Sequence, residues 1–196
     1  LEVKSTFDPM KKQVIVNVAQ TQEEKFEFPL SIDVLENGKI SRKEVWVTAK
    51  AKNDFVFDVT KNPELINANP EGLLLSDIKQ DKTPEQLYLQ YTTAKDLYSK
   101  YTAIEEAKDQ VSKNPFADKL YAAALKDKFY RNRLLALEGL PEDPKSFLAD
   151  VEKLAQNDEK NLVKGAAIGV LAKTKNPKYL PLFEKGINAI SNSVKG

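Results

Sequence analysis

A unit repeating about every 30 residues runs through the second half of the chain, and it restricts what that half can become. Each copy opens with a small polar residue and a proline: Thr83-Pro84, Asn114-Pro115, Asp143-Pro144 and Asn176-Pro177. Thr, Asn or Asp before proline starts a helix. Its side-chain oxygen accepts a free N–H of the first turn, and proline at the first helical position gives up no hydrogen bond. The first three openings lead to an Ala-aliphatic pair with another apolar residue three positions on: Ala103-Ile104 with Ala107, Ala136-Leu137 with Leu140, and Ala167-Ile168 with Leu171. That stripe is the buried face of a second helix, and alanine lets the neighbour approach closely. The pattern predicts stacked helix-turn-helix repeats, a short solenoid whose fourth opening is an incomplete last unit. Helices are expected over 84–95, 97–112, 115–127, 129–138, 144–156, 159–173 and 177–190. Thr83 with Gln86 also has capping-box spacing.

The first 60 residues alternate with period two instead. Val3, Ser5 and Phe7 share a face with Leu1; Val14, Val16 and Val18 form the next, then Leu30, Ile32 and Val34, then Val45 and Val47, then Phe55, Phe57 and Val59. Half-buried strands of this kind predict an antiparallel sheet. Asn37-Gly38 suits a tight hairpin turn with positive φ, and Pro29 belongs at a strand start or edge. Asn62-Pro63 and Asn69-Pro70-Glu71-Gly72 are turn signals, and Leu73-Leu74-Leu75 is expected as a last short strand. The boundary falls near residue 81: a β domain over 1–81, then an all-α, HEAT-like domain over 82–196.

Composition removes several kinds of chemistry. The chain has 196 residues, no cysteine and no histidine, so it offers neither a thiolate nor the commonest general base and zinc ligand. Residues 1–81 carry 11 Lys+Arg against 14 Asp+Glu, and 82–196 carry 19 against 15. That asymmetry separates two regions but is far from the clustered positive charge that nucleic acid requires. The longest apolar stretch, Leu162 to Ala172, is flanked by lysines and too short for a membrane span. Starting at Leu1 without a signal-peptide pattern, the chain is expected to be a piece of something longer.

Residues of the sheet region carry a family resemblance. Val18-Ala19-Gln20-Thr21-Gln22, followed by Phe26-Glu27-Phe28-Pro29-Leu30, resembles the third domain of the aminopeptidase N family of zinc metallopeptidases. Val45-Trp46-Val47, Phe55-Val56-Phe57, Pro63-Glu64-Leu65-Ile66-Asn67, Gly72-Leu73-Leu74-Leu75 and Tyr101-Thr102-Ala103-Ile104-Glu105-Glu106-Ala107 continue it in order. The resemblance implies a small antiparallel β-sandwich over 1–81, followed over 82–196 by an α-α superhelix of HEAT-like repeats. These are the last two of that family's four domains. The family's H-E-x-x-H, its downstream zinc-binding Glu and its Gly-Ala-Met-Glu-Asn motif have no counterpart here, so no catalytic, cofactor-binding or metal residue is assigned. The implied role is a spacer and lid that encloses the cleft of an upstream catalytic domain of the same parent and restricts peptide access. Zinc is then expected in that missing domain and none in this chain; the partners are the catalytic domain and peptide substrates, with no nucleic acid and no membrane span. A protein-interaction scaffold without peptidase activity is the alternative. The surface facing the missing domains is expected to be the more apolar one.

Four side-chain groups have both a functional and a structural reading. Arg131 and Arg133, with Lys128 and Lys164, suit a peptide carboxylate, but helix capping and exposed ion pairs are the commoner fate of such residues. Tyr88 with Tyr91, and Tyr98 with Tyr101, share helical faces that packing explains without a ligand. Gly165 and Gly169 permit a close helix crossing, and leucine at Gly169 is expected to overpack it. Glu23-Glu24 and Glu105-Glu106 diverge on any regular element and hold no ion by themselves.

Overall fold

A computed structural model describes residues 1–187 and 192–195. It has two three-stranded antiparallel sheets followed by helices. Contacts divide the chain into two compact units, Leu1–Ser99 and Lys100–Gly196.

In the first unit the strands are β1 (Glu2–Asp8), β2 (Gln13–Ala19), β3 (Phe28–Glu36), β4 (Lys39–Val47), β5 (Lys52–Asp58) and β6 (Leu65–Ala68). One sheet has the order β1-β2-β5, the other β4-β3-β6. The period-two pattern becomes a single shared core: Val3, Val14, Val16 and Val18 from one sheet meet Leu30, Ile32, Val34, Val47 and Ile66 from the other. Val16, Val18, Ile32 and Val47 have no exposed surface. Two tight turns fix the registers. Asp8 Oδ1 accepts the N–H groups of Met10 and Lys11 at 2.9 and 3.0 Å, closing β1 onto β2. Asn37 and Gly38 take φ of 52° and 70°, so that Glu36 pairs with Lys39 across the β3–β4 hairpin. Positive φ at both central residues matches the right-handed twist of the strands.

Gln20, in the stretch that carries the resemblance, is a buried connector. Its Nε2 donates to the carbonyls of Phe26 and Thr48 at 2.8 and 3.0 Å, and its Oε1 accepts the Phe26 N–H at 2.9 Å. The glutamine thereby satisfies backbone groups of two loops that no strand reaches.

The last strand is not where the apolar run placed it. β6 is Leu65–Ala68, buried at every position, and Leu73 and Leu75 are 75% and 98% exposed. Burial on both faces explains the missing alternation: β6 pairs with β3 and also packs against helix α1 (Pro84–Thr93). The leucine run forms a loop instead, closed by the Asn69 side chain, which exchanges hydrogen bonds with both backbone groups of Leu74 at 3.0 Å. Gly72 has φ of 67°, and a Cβ there would lie 2.8 Å from the Tyr98 ring, so both conformation and space call for glycine.

The capping signals hold at three of the four openings. Thr83 makes the full capping box with Gln86 at the start of α1, and Asn114 accepts the Phe116 N–H at the start of α3 (Pro115–Ala124). Asn176 caps likewise, but it opens a short 3-10 turn, Pro177–Tyr179, and α7 (Leu180–Ile187) begins after it. At Asp143-Pro144 the aspartate pairs with Lys145 instead, and a 3-10 turn, Lys145–Phe147, precedes α5 (Leu148–Asn157). The helix expected to 112 stops earlier: α2 (Leu97–Ala107) tightens into a 3-10 turn, and Ser112 takes φ of 65°. Residues 188–190 of the expected last helix lie outside the described residues. The remaining helices are α4 (Tyr130–Glu138), α6 (Asn161–Lys173) and the short α8 (Asn192–Lys195).

Within the second unit α5 packs on α6, α3 and α6 on α4, and α8 on α6. Ala103, Ile104, Ala107, Ala136, Ala167 and Leu171 of the expected stripe are fully buried. The glycine pair behaves differently from expectation. A Cβ at Gly169 meets nothing within 4 Å, whereas one at Gly165 overlaps the Ser193 backbone carbonyl in α8. Gly169→Ala should therefore stabilise by up to about 1 kcal/mol through helix propensity. Gly165→Ala should dislodge α8 from α6. Thermal unfolding followed by circular dichroism reads the difference: the midpoint should rise for Gly169→Ala and fall for Gly165→Ala, and equal shifts would contradict this crossing.

Candidate functional site

The first unit holds a cleft of about 330 Å³ on the outward face of the second sheet. Register makes its floor: Asp33 stands opposite both Arg42 and Asn67, and Leu35 opposite Ile40 and Leu65. The last turn of α1 and the residues leading into α2 form the other wall, with Gln90, Thr93 and Asp96 among them.

Polar groups in this cleft are turned on one another. Arg42 forks onto both oxygens of the buried Asp33 at 2.8 and 3.1 Å and reaches Glu71 at 2.5 Å. The hydrogen bonds to these carboxylates raise the guanidinium above its already high ordinary pKa. Asn67 donates to Ser99 Oγ at 3.2 Å and accepts from Lys82 at 3.1 Å; Ser99 Oγ donates to the Pro70 carbonyl at 2.7 Å. Gln90 Nε2 donates to the Ser99 carbonyl, and Asp96 accepts the Ser99 N–H as a cap for α2. With its proton held by a carbonyl, Ser99 is not set up as a nucleophile. Within the first unit the cleft fastens β6 to the segment from α1 to Ser99.

The basic residues singled out in the sequence lie in the second unit, where one of them is buried. Arg133, on α4, donates to Asp158 Oδ2 and Oδ1 at 2.7 and 2.9 Å and to the carbonyls of Asp127 and Lys128 at 2.8 and 3.1 Å. Its side chain is 9% exposed and that of Asp158 3%. Burial pushes the Asp158 carboxyl up, but hydrogen bonds from Arg133 and the Lys160 N–H, with the charges of Arg133 and Lys164, outweigh it and hold the pKa below its ordinary value. Arg133 by hydrogen bonds and Lys164 by its charge thus act on one carboxylate, while Lys128 contributes only its backbone carbonyl to Arg133. Arg131 does not: it is exposed, 5.8 Å from the centroid of the Tyr130 ring. The expectation of exposed ion pairs fails for Arg133, whose guanidinium is committed to the protein and not presented to a peptide.

A wider groove, about 1050 Å³, runs between α5, α6 and α7. On its wall Glu152 Oε1 accepts from Lys178 Nζ at 2.8 Å and from Tyr179 OH at 2.6 Å. These donors, Lys178 before Tyr179, outweigh burial and lower the Glu152 pKa. Sequence reasoning had no signal for this triad, because its members lie 26 and 27 positions apart.

The tyrosines divide by position: Tyr91 is buried, Tyr88 partly so, and Tyr98 and Tyr101 are 42% and 49% exposed. Glu23, Glu24, Glu105 and Glu106 are exposed. Among the described residues no group of three or more Asp or Glu could hold a metal ion, so the donor set that zinc requires is not found there. Among them no helix is long and apolar enough to cross a membrane.

No protein-family model matches the sequence, and no curated protein matches it. A solved structure does share the fold: Legionella pneumophila aminopeptidase A in complex with aspartic acid aligns with a TM-score of 0.74 at 13% identity. The alignment covers 99% of this chain and 30% of that one. At that identity the likeness is one of fold.

Proposed function

We propose that this chain is the non-catalytic spacer and lid of an aminopeptidase N-like zinc exopeptidase. In this reading the strands form a small β-sandwich, and the helices a HEAT-like superhelix that covers the cleft of an upstream catalytic domain and restricts which peptides enter. The supporting observation is that nearly the whole chain aligns with under a third of an aminopeptidase structure. That leaves most of such an enzyme to be supplied from outside the aligned region. The ordered sequence resemblance points the same way. So does the chemistry of the chain: its clefts hold arginine, serine and carboxylates in mutual hydrogen bonds. Leu73 and Leu75, both strongly exposed on one loop, fit a surface made for contact with another domain.

The parent protein provides the test. The sequence upstream of Leu1 should carry H-E-x-x-H and its distant Glu. The parent should release N-terminal residues from short peptides and discriminate against large folded substrates. Deleting this region should abolish that discrimination or the activity with it. The isolated chain should keep no stoichiometric zinc after dialysis and show no exopeptidase turnover; stoichiometric zinc with turnover would refute the lid assignment.

A further inference from the structure

We propose that Asn37 is a site of spontaneous deamidation and that Glu64 is the group that restrains it. Asn37 and Gly38 form the exposed β3–β4 turn, and glycine leaves the attacking nitrogen without steric cover: a Cβ at Gly38 would meet nothing within 4 Å. In the reaction the Gly38 amide nitrogen gives its proton to hydroxide and attacks Asn37 Cγ. The new N–Cγ bond closes a five-membered imide as the Cγ–Nδ2 bond breaks and ammonia leaves. One water then opens the imide, giving an aspartyl residue or, through the other carbonyl, an isoaspartyl residue. The balance is asparagine plus water to acid plus ammonia, with no other reactant.

Both reacting groups are held in this turn. The Gly38 N–H donates to Glu64 Oε2 at 3.2 Å and the Asn37 N–H to Glu64 Oε1 at 3.2 Å. The departing amide, Asn37 Nδ2, donates to Thr60 Oγ1 at 3.3 Å. Behind them Lys61 pairs with Glu64 inside the 60–64 loop at 2.6 Å, and Glu36 ties that loop to the end of β3 by accepting the Lys61 N–H at 3.0 Å. Ionising the Gly38 nitrogen places a second negative charge against the Glu64 carboxylate. That carboxylate is also a poor base, since the hydrogen bond from Lys61, then those from Gly38 and Asn37, lower its pKa. The contact therefore opposes the step. The product weakens the clamp, because a carboxylate at position 37 has no N–H to donate to Thr60 Oγ1, whose own proton goes to Glu36. An isoaspartyl residue further adds a backbone carbon to a two-residue turn, which breaks the Glu36–Lys39 register.

The test is incubation of the full chain in mildly alkaline buffer, with peptide mapping by mass spectrometry and isoaspartate assay at position 37. Native wild-type protein should convert at least about tenfold more slowly than the same chain in urea, the scale expected when hydrogen bonds to a charged acceptor must first be broken. Glu64→Ala and the near-isosteric Glu64→Gln, each checked for native circular dichroism, should both recover most of that lost rate. The Glu64→Gln variant decides the matter where Glu64→Ala does not fold. Equal rates in native and unfolded wild type, or a rate unchanged or slower in the folded Glu64 variants, would overturn the proposal; a slower rate would make Glu64 an assistant instead of a restraint.

Discussion

Replacing Arg133 with alanine is expected to cost the second unit about 3–5 kcal/mol, the usual consequence of leaving one member of a buried ion pair without its partner. The Asp158 side chain is 3% exposed and accepts both guanidinium bonds; without them its carboxylate faces the interior with the Lys160 N–H and the charge of Lys164. The carbonyls of Asp127 and Lys128 lose a donor in the same step. Urea denaturation followed by far-UV circular dichroism measures the loss. A double replacement, Arg133→Met with Asp158→Leu, removes both charges and should recover most of it, because a packed apolar pair of similar volume is often neutral or better. A loss under about 1 kcal/mol in the single variant would place this pair with ordinary surface bridges.

The same pair sets a pH dependence. The folded pKa of Asp158 lies below its unfolded value, so its contribution is complete above the unfolded pKa of about 4 and is lost as the pH falls through the folded pKa. Acid should therefore destabilise wild type more than the double variant, and the two stability curves, close at neutral pH, should separate as the pH falls.

The second large effect is expected in the first unit. Ile32→Ala should cost about 2–5 kcal/mol, the range for removing a buried aliphatic side chain and leaving a cavity. Ile32 is fully buried on β3, the central strand of its sheet, and belongs to the core that both sheets share. Strand pairing on both sides prevents β3 from closing around the gap. Ile15→Ala is the internal control: Ile15 is 36% exposed on the opposite face of β2 and should cost well under half as much. Equal losses at the two positions would mean that the alternation had been assigned to the wrong face.

Much of the order of elements was legible in the chain because local rules were strong there. Val14, Val16 and Val18 could bury one face only as a strand, and Asn37-Gly38 between two such runs could close only as a hairpin. Thr83-Pro84 and Asn114-Pro115 named helix starts through the chemistry of their own side chains. The failures were equally specific. Leu73-Leu74-Leu75 read as a strand because it is apolar, yet Pro70 and Gly72 bend the chain just before it and Asn69 ties only Leu74. Leu65–Ala68 went unseen because burial on two faces leaves no alternation to detect. Gly165 and Gly169 were equivalent as a motif, and only the position of α8 distinguishes them.

Sequence alone determined most of the succession of strands and helices, β6 apart, the faces they would bury, and the absence of imidazole and thiol chemistry, since each follows from a residue and its near neighbours. Tertiary structure decided which charges would be used up internally. Arg133 with Asp158, Arg42 with Glu71, and Glu64 with the Asn37-Gly38 turn are separated by 25, 29, and 27 and 26 positions respectively. No local pattern encodes such pairings, because a charge finds its partner only when packing brings distant segments together and removes the water between them.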